Sequence, residues 1–177
     1  MSRRQRQMCI RDRIYIGSLS KALGSTFRCS YVVAPAHVTE VLQKSAALVV
    51  GDTDAVAQKM LADLINEGEL KKHLRRVSKE YAARREVLQS CLHEAFGERM
   101  QVRTPEGGLA LWVRFQDETN VDRLVEDALG QGVVVRSARQ FSPEGLAENA
   151  LRLGFASLNR DEIRQGTLRL ARAMKMC

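Results

Sequence analysis

The stretch IYIGSLSKALGSTFRCSY, residues 14–31, places a lysine and an arginine in a loop between two apolar runs. The β-branched and aromatic residues at 14–16 and 31–34 predict two short buried strands. The loop between them carries an amine on Lys21 and a guanidinium on Arg28. A lysine in such a turn is most often simply solvated, so its neighbours decide whether it carries chemistry.

Those neighbours match a ligand that has both a phosphate group and a reactive carbonyl. Ser18 and Ser20 offer hydroxyls, and Arg28 offers a planar fork that pairs with phosphate oxygens. The amine of Lys21 can form a Schiff base with an aldehyde. Pyridoxal phosphate carries an aldehyde and a phosphate, and it would use all four side chains at once.

The segment SLSKALGSTFRCSYVVAP, residues 18–35, resembles the lysine signature of the class I/II aminotransferases of fold-type I. In that family the pattern S-x-S-K is followed, after a short loop, by an arginine. The resemblance implies that Lys21 is the Schiff-base lysine and the proton shuttle. It also implies that Ser18 and Arg28 bind the cofactor phosphate, with Ser20 as a weaker candidate.

A second candidate site lies in ALRLGFA, residues 150–156. Strand alternation sends Arg152, Gly154 and Ala156 to one face, so small residues leave room for a ligand beside the arginine. Taken alone, Arg152 could equally be a surface residue on an edge strand. The pattern R-L-x-F resembles the family's arginine that clamps the substrate α-carboxylate, which implies that role for Arg152. Bidentate pairing explains arginine rather than lysine there.

The rest of the chain predicts alternating helices and strands. Pro35 begins a predicted helix that extends to about residue 47, and a second helix begins near Asp52 or Thr53. The longest helix extends from about Glu69 to Phe96 and carries one apolar stripe. Beyond it, the pattern predicts strands at 109–115, 133–135 and 150–156, a helix at 120–130, and a last helix capped by Asn159 and Glu162.

These elements divide the chain into four parts. Residues 1–13 hold five arginines and one acid, and we expect them to be non-native, adaptor-derived sequence, the alternative being a natural basic arm. Residues 14–68 are the C-terminal part of a large cofactor-binding domain, residues 69–97 a long linking helix, and residues 98–177 a small α+β domain. The predicted fold class is α/β, the C-terminal part of the PLP-dependent transferase fold.

In the resembled family, the acid that pairs with the pyridine nitrogen and most strands of the large domain precede the lysine. Only 20 residues precede Lys21 here. The chain is therefore expected to be a truncated fragment, inactive alone. The apolar runs at 14–16 and 31–34 are then expected to be exposed, because most of their domain is missing.

Two relatives share further runs with this chain. INEGELKKHLRRVSKEYAARREVL (65–88) and LRLGFASLNRDEI (151–163) resemble both 2-aminoadipate-type aminotransferases and the aminotransferase-like domain of MocR-type regulators in the GntR family. The leading interpretation is a PLP-dependent aminotransferase that acts on an amino acid and a 2-oxo acid, homodimeric at full length. The alternative is an effector-sensing regulator domain, which binds DNA only if a winged helix-turn-helix lies upstream. A third interpretation is an α+β module without a cofactor.

Charge and composition give little support to nucleic-acid binding and exclude a membrane-spanning helix. Five arginines minus one aspartate give residues 1–13 a charge of +4 out of the total of +7, so the remaining residues carry only +3. The basic run KKHLRR (71–76) has no interleaved aromatic residues to stack on bases, so its charges are interpreted as a solvated face and His73 as a surface residue. No apolar run approaches the ~18 residues of a membrane span.

The cysteines and histidines predict neither a disulfide framework nor a metal site. The four cysteines are scattered without a CxxC pair, which favours a reducing cytoplasm. His37 and His93 have no cysteine or acidic partners at ligand spacing. Trp112 is interpreted as a packing residue.

Overall fold

The computed structural model describes residues 13–24, 29–49, 54–105, 107–142 and 148–175. The chain divides into two compact units, the first ending at Arg75 and the second beginning at Arg76. Each unit contains its own antiparallel sheet. Within the described ranges, every helix is too short or too polar to cross a bilayer.

The sheet of the first unit is a two-stranded hairpin. Strand β1 (Tyr15–Ser18) pairs antiparallel with β2 (Ser30–Val33), and the register places Gly17 opposite Tyr31. A Cβ atom on Gly17 would lie 2.3 Å from Cζ of Tyr31. The tyrosine ring therefore occupies the space that a side chain at position 17 would need, so a larger residue there would require the exposed Tyr31 ring to move.

The apolar side chains of the hairpin are exposed, which corrects the prediction that these strands are buried. Ile16 is 73% exposed and Val33 is 50% exposed. A ladder of two four-residue strands cannot cover its own faces, so burial would need a further layer. The apolar exposure that the sequence also predicts along 14–16 and 31–34 is confirmed.

Helix α1 (Ser20–Leu23) joins the two strands of the hairpin, and α2 (Ala36–Val49) and α3 (Ala55–Asn66) follow. The side chain of Asp54 caps α3 by accepting a hydrogen bond from the Ala57 N–H at 3.0 Å. Both longer helices are predicted by the sequence. The start expected at Asp52 or Thr53 lies outside the described residues, and the helix begins just after them.

Helix α4 (Glu69–Phe96) is the longest element, and its predicted bounds are confirmed. Its C-terminal half contributes Leu88, Leu92 and Phe96 to the core of the second unit. It ends at Gly97, whose φ of 54° lies in the left-handed region that favours glycine. The interpretation of this helix as a linker between two domains, with the boundaries given above, remains a prediction.

The second unit is built around a four-stranded antiparallel sheet. Its order is β3-β4-β6-β5, where the strands are β3 (Met100–Arg103), β4 (Ala110–Phe115), β5 (Arg136–Ser137) and β6 (Ala150–Gly154). Helices α5 (Val121–Gly130) and α6 (Arg160–Met174) share the core formed by one sheet face. The sheet contributes these buried residues: Met100, Leu111, Val113, Phe115, Leu151 and Leu153.

One strand prediction in this unit is corrected, and one strand is additional to the predicted ones. The run Val133–Val135 is not a strand, because the Val133 N–H returns to the Ala128 carbonyl at 2.8 Å and closes the end of α5. Pairing starts only at Arg136, which faces Arg152. Strand β3 was not predicted, because four residues in which only alternate side chains are apolar make a weak pattern.

The start of α6 follows the predicted capping chemistry. Asn159 accepts from the Glu162 backbone N–H at 2.9 Å, and the Glu162 carboxylate accepts from the Asn159 N–H at 2.6 Å. This reciprocal pair is the predicted capping box of α6. Ile163, Leu170 and Met174 are buried on that helix, whereas Ala171 is only partly buried.

Two leucines on helix α5, one buried and one exposed, test which side chains form the core. Leu124 is 0% exposed and Leu129 is 61% exposed on the same helix. Leu124→Ala should lower the free energy of unfolding of the 177-residue chain by about 2–5 kcal/mol, because it leaves a cavity among packed side chains. Urea denaturation followed by circular dichroism measures this change.

Leu129→Ala is the control, and it should shift the free energy of unfolding by no more than about 0.5 kcal/mol, because its side chain already contacts water. Equal losses for the two variants would show that the described core of this unit is wrong.

Candidate functional site

Lys21 lies in a turn that closes on itself through the backbone. The Leu19 N–H donates to the Cys29 carbonyl at 3.0 Å, and the amides of Ala22 and Leu23 both return to the Leu19 carbonyl at 2.9 Å. The Lys21 side chain is exposed on α1. This turn therefore holds the start of the helix in place while leaving the amine accessible to a ligand.

The same turn contains the hydroxyl of Ser18. Ser18 Oγ accepts a hydrogen bond from the Ser20 N–H at 3.4 Å, which leaves the Ser18 hydroxyl hydrogen able to donate. Three of the predicted site residues, Ser18, Ser20 and Lys21, are thus within one turn of backbone. Arg28, the predicted phosphate ligand, lies outside the described residues, so its place in this site remains a prediction.

His73 approaches the same turn, which the sequence does not predict. The residue is half-buried, and its Nε2–H donates to the Ala22 carbonyl at 2.9 Å. The interpretation of His73 as a solvated surface residue is therefore wrong. Its partner is 51 positions away in the chain, so no local pattern within KKHLRR could indicate the contact.

Arg152 lies on the exposed face of β6, as the predicted alternation requires. Its neighbours Leu151 and Leu153 are buried, and a Cβ added to Gly154 would meet no atom of the described residues within 4 Å. The open space predicted beside Arg152 is therefore present. Lys21 belongs to the first unit and Arg152 to the second, and their joint use in one site remains a prediction.

Two aromatic rings flank Arg152. Its Cζ lies 5.9 Å from the centre of the Phe141 ring. The Phe141 and Trp112 ring centres are 6.1 Å apart in an edge-on arrangement. A guanidinium at this distance from an aromatic face is attracted by the ring quadrupole, so the aromatic pair restrains the arginine without neutralising it.

Arg152 is also part of a row that crosses the whole sheet. The register aligns Arg103 on β3, Trp112 on β4, Arg152 on β6 and Arg136 on β5. The three arginines are exposed, and the tryptophan is half-buried between two of them. Arg103 and Arg136 are not predicted as site residues, because only the strand register reveals that they share a row with Arg152.

Glu148 neutralises part of this face. Its carboxylate accepts from Trp112 Nε1 at 3.1 Å and pairs with the Arg114 guanidinium. The Arg114 guanidinium, followed by the Trp112 indole, lowers the pKa of Glu148 below its ordinary value. Trp112 is therefore more than a packing residue, since its indole N–H holds a charged partner.

Metal-binding side chains are not grouped in the part of the chain that the structure describes. No three of its histidines, cysteines, aspartates or glutamates are placed to share an ion. The candidate groups are an amine and hydroxyls in the first unit and guanidinium groups in the second. These donors suit an anionic ligand with a carbonyl group.

The Glu148 contact gives a spectroscopic test, because Trp112 is the only tryptophan in the chain. A carboxyl whose pKa is lowered keeps its ion pair above its ordinary pKa and loses it as the pH falls through the lowered value. Trp112 fluorescence should therefore change with a midpoint below 4.5, the ordinary value for glutamate. Circular dichroism at each pH separates this change from unfolding.

Glu148→Gln should remove the fluorescence transition, whereas Asp117→Asn, which alters a carboxylate paired with Arg99 instead, should retain it. An unchanged transition in Glu148→Gln would refute the assignment of the fluorescence change to this carboxylate.

Known proteins match both the sequence and the fold. The family model for aminotransferase class I and II matches residues 7–170. Aromatic-amino-acid aminotransferase 1 of Thermococcus litoralis is 27% identical over 92% of this chain and 39% of its own length. The probable rhizopine catabolism regulatory protein MocR of Rhizobium meliloti is 27% identical over 86% of this chain and 31% of its own length.

A solved structure supports the same assignment. LysN, an alpha-aminoadipate aminotransferase from Thermus thermophilus, was crystallised with N-(5'-phosphopyridoxyl)-L-leucine. It superposes with a TM-score of 0.84 at 28% identity, covering 92% of this chain and 42% of that one. The chain thus spans about two-fifths or less of the length of these relatives. It belongs to the aminotransferase class I and II family and has part of the fold-type I, PLP-dependent transferase fold.

Proposed function

We propose that this chain is part of a pyridoxal-phosphate-dependent aminotransferase, which moves an amino group between an amino acid and a 2-oxo acid. The observation that carries the proposal is the exposed Lys21 in the closed turn after β1, in which the Ser18 hydroxyl oxygen accepts from the Ser20 N–H. The donor set fits the cofactor, because an amine suits its aldehyde and a hydroxyl suits its phosphate. Family membership supports the same reading.

Lys21 and Ser18 would hold the cofactor, with Ser20 and Arg28 as further candidates. When bound, pyridoxal phosphate supplies an aldehyde and a ring that withdraws electrons from the substrate Cα. Lys21 Nζ would then act as the base that takes the proton from that carbon. The hydrogen bonds from Ala22 and Leu23 to the Leu19 carbonyl keep the helix that carries this base in place.

Arg152 would orient the substrate. Its guanidinium is exposed, restrained by the Phe141 ring, and bordered by the open space at Gly154. A planar fork pairs with both oxygens of an α-carboxylate, which fixes the position of the neighbouring Cα. Because this pairing holds the substrate in one orientation, the Cα proton is already positioned for transfer to the base.

A second candidate function is effector sensing in a transcriptional regulator. The similarity to the MocR protein of Rhizobium meliloti favours it, since that regulator aligns with 86% of this chain. The same lysine and arginine would bind the cofactor and an amino acid without turnover. Sequencing the reading frame upstream in the source DNA discriminates the two, because a winged helix-turn-helix there indicates the regulator. For either function we expect a homodimer at full length.

The Schiff-base assignment can be tested on the 177-residue chain. Incubation with pyridoxal phosphate followed by borohydride reduction fixes the cofactor on the lysine that binds it. Peptide mass spectrometry should find the phosphopyridoxyl group on Lys21 several-fold more often than on exposed lysines elsewhere, because the neighbouring hydroxyl groups help to hold the phosphate. Lys21→Arg should remove this preferred label.

Lys59→Arg is the matched control, since Lys59 is an exposed lysine paired with Asp63 on α3. It should leave the label on Lys21 unchanged. Labelling spread evenly over the exposed lysines, or labelling that is the same in Lys21→Arg, would show that Lys21 is not the Schiff-base residue.

A further inference from the structure

The backbone that follows Lys21 is held from two sides. The Ala22 N–H donates to the Leu19 carbonyl at 2.9 Å, and the Ala22 carbonyl accepts from Nε2 of His73 at 2.9 Å. In a helix of four residues, such as α1, every carbonyl lies in the final turn, where carbonyls lack partners inside the helix. His73 therefore gives the Ala22 carbonyl a partner that α1 itself cannot provide.

His73 differs from the basic residues around it in its burial. The other five residues of KKHLRR (71–76) are exposed, whereas His73 is half-buried. Leu70 and Val77, three positions before it and four after it, are half-buried on the same side of α4. A polar ring on such a stripe loses contact with water and needs a partner inside the protein. The bond to Ala22 supplies one to its Nε2 atom.

The acceptor determines what this histidine can do. A carbonyl oxygen only accepts hydrogen bonds, so Nε2 of His73 carries a proton and donates it. Because the backbone engages this nitrogen, Nε2 is not available to take a proton from a substrate. The geometry favours a role in positioning over a role in acid–base chemistry.

We propose that His73 is a positioning residue for Lys21 and acts through the Ala22 carbonyl. The inference rests on the proposed function, in which Lys21 provides the Schiff-base amine. Lys21 is exposed while Ala22 and Leu23 are half-buried, so the restraint acts on the backbone and leaves the amine accessible. The amine and the Ser18 hydroxyl can serve one ligand only while the backbone between them keeps its shape. The bond from the 28-residue helix α4 helps to keep that shape.

Substitutions that remove or keep the donor test the proposal on the 177-residue chain. His73→Leu removes the donor, whereas His73→Gln retains an N–H donor on a side chain of similar reach, and both new residues are good helix formers. After incubation with pyridoxal phosphate and borohydride reduction, peptide mass spectrometry gives the ratio of label on Lys21 to label on Lys59. His73→Leu should lower this ratio roughly fivefold, the net effect of about one hydrogen bond. His73→Gln should retain most of the wild-type ratio.

Amide hydrogen exchange measures the same restraint without the cofactor. In His73→Leu, the Ala22 and Leu23 amides should exchange several-fold faster than in wild type, because the turn opens more often. In His73→Gln they should exchange at nearly the wild-type rate. His93→Leu is the matched control, since it makes the same change at an exposed histidine of α4. It should alter neither the labelling ratio nor the exchange.

The outcomes separate this inference from the proposed function. If wild type shows no preference for Lys21 over Lys59, the Schiff-base assignment fails and the positioning role falls with it. If the preference exists and His73→Leu leaves it unchanged, Lys21 keeps its assignment and only the role of His73 is wrong. A loss in His73→Gln as large as that in His73→Leu overturns the inference, because the donor is then not what acts on Lys21. Equal loss of label at Lys21 and Lys59, with reduced helical circular dichroism, would show a role in folding alone and would also overturn it.

Discussion

The pairing of β4 with β6 is the interaction on which the second unit depends. Its register sets Val113 opposite Leu151 in the core and Trp112 opposite Arg152 on the exposed face. A shift of one residue would bury the arginine and expose the apolar row, because side chains alternate between the faces of a strand. Core packing and the position of the candidate carboxylate ligand are thus decided by the same register.

The first unit follows a different principle, in which backbone hydrogen bonds and one glycine define the local geometry. The Leu19 turn presents Lys21 to solvent, and Gly17 admits the Tyr31 ring against the backbone. The hairpin leaves its apolar side chains exposed, so among the described residues the turn is shaped by its backbone hydrogen bonds and not by a surrounding core. The contact from His73 adds a restraint from α4 to the residue after the lysine.

The exposed face of the second sheet combines attraction and repulsion among charges. Glu148 neutralises Arg114 and holds the Trp112 indole, and Asp122 neutralises Arg139. Arg152 is instead restrained by an aromatic ring, which leaves its charge available to an anion. A face with this distribution of charge can orient a carboxylate, and that chemistry serves an aminotransferase and an amino-acid sensor equally well.

Local chemistry in the sequence was sufficient to predict the long helix, the alternation around Arg152, the capping box at Asn159 and the lysine turn. Each of these depends on neighbours within a few positions, through periodicity, side-chain capping or a family motif. The tertiary structure alone decided that Val133–Val135 closes a helix, that His73 contacts Ala22, and that Arg136 faces Arg152. The His73 and Arg136 contacts depend on which distant segments pair and in what register, and no local pattern specifies that. The Val133 bond is local, but a run of three valines equally suits a strand.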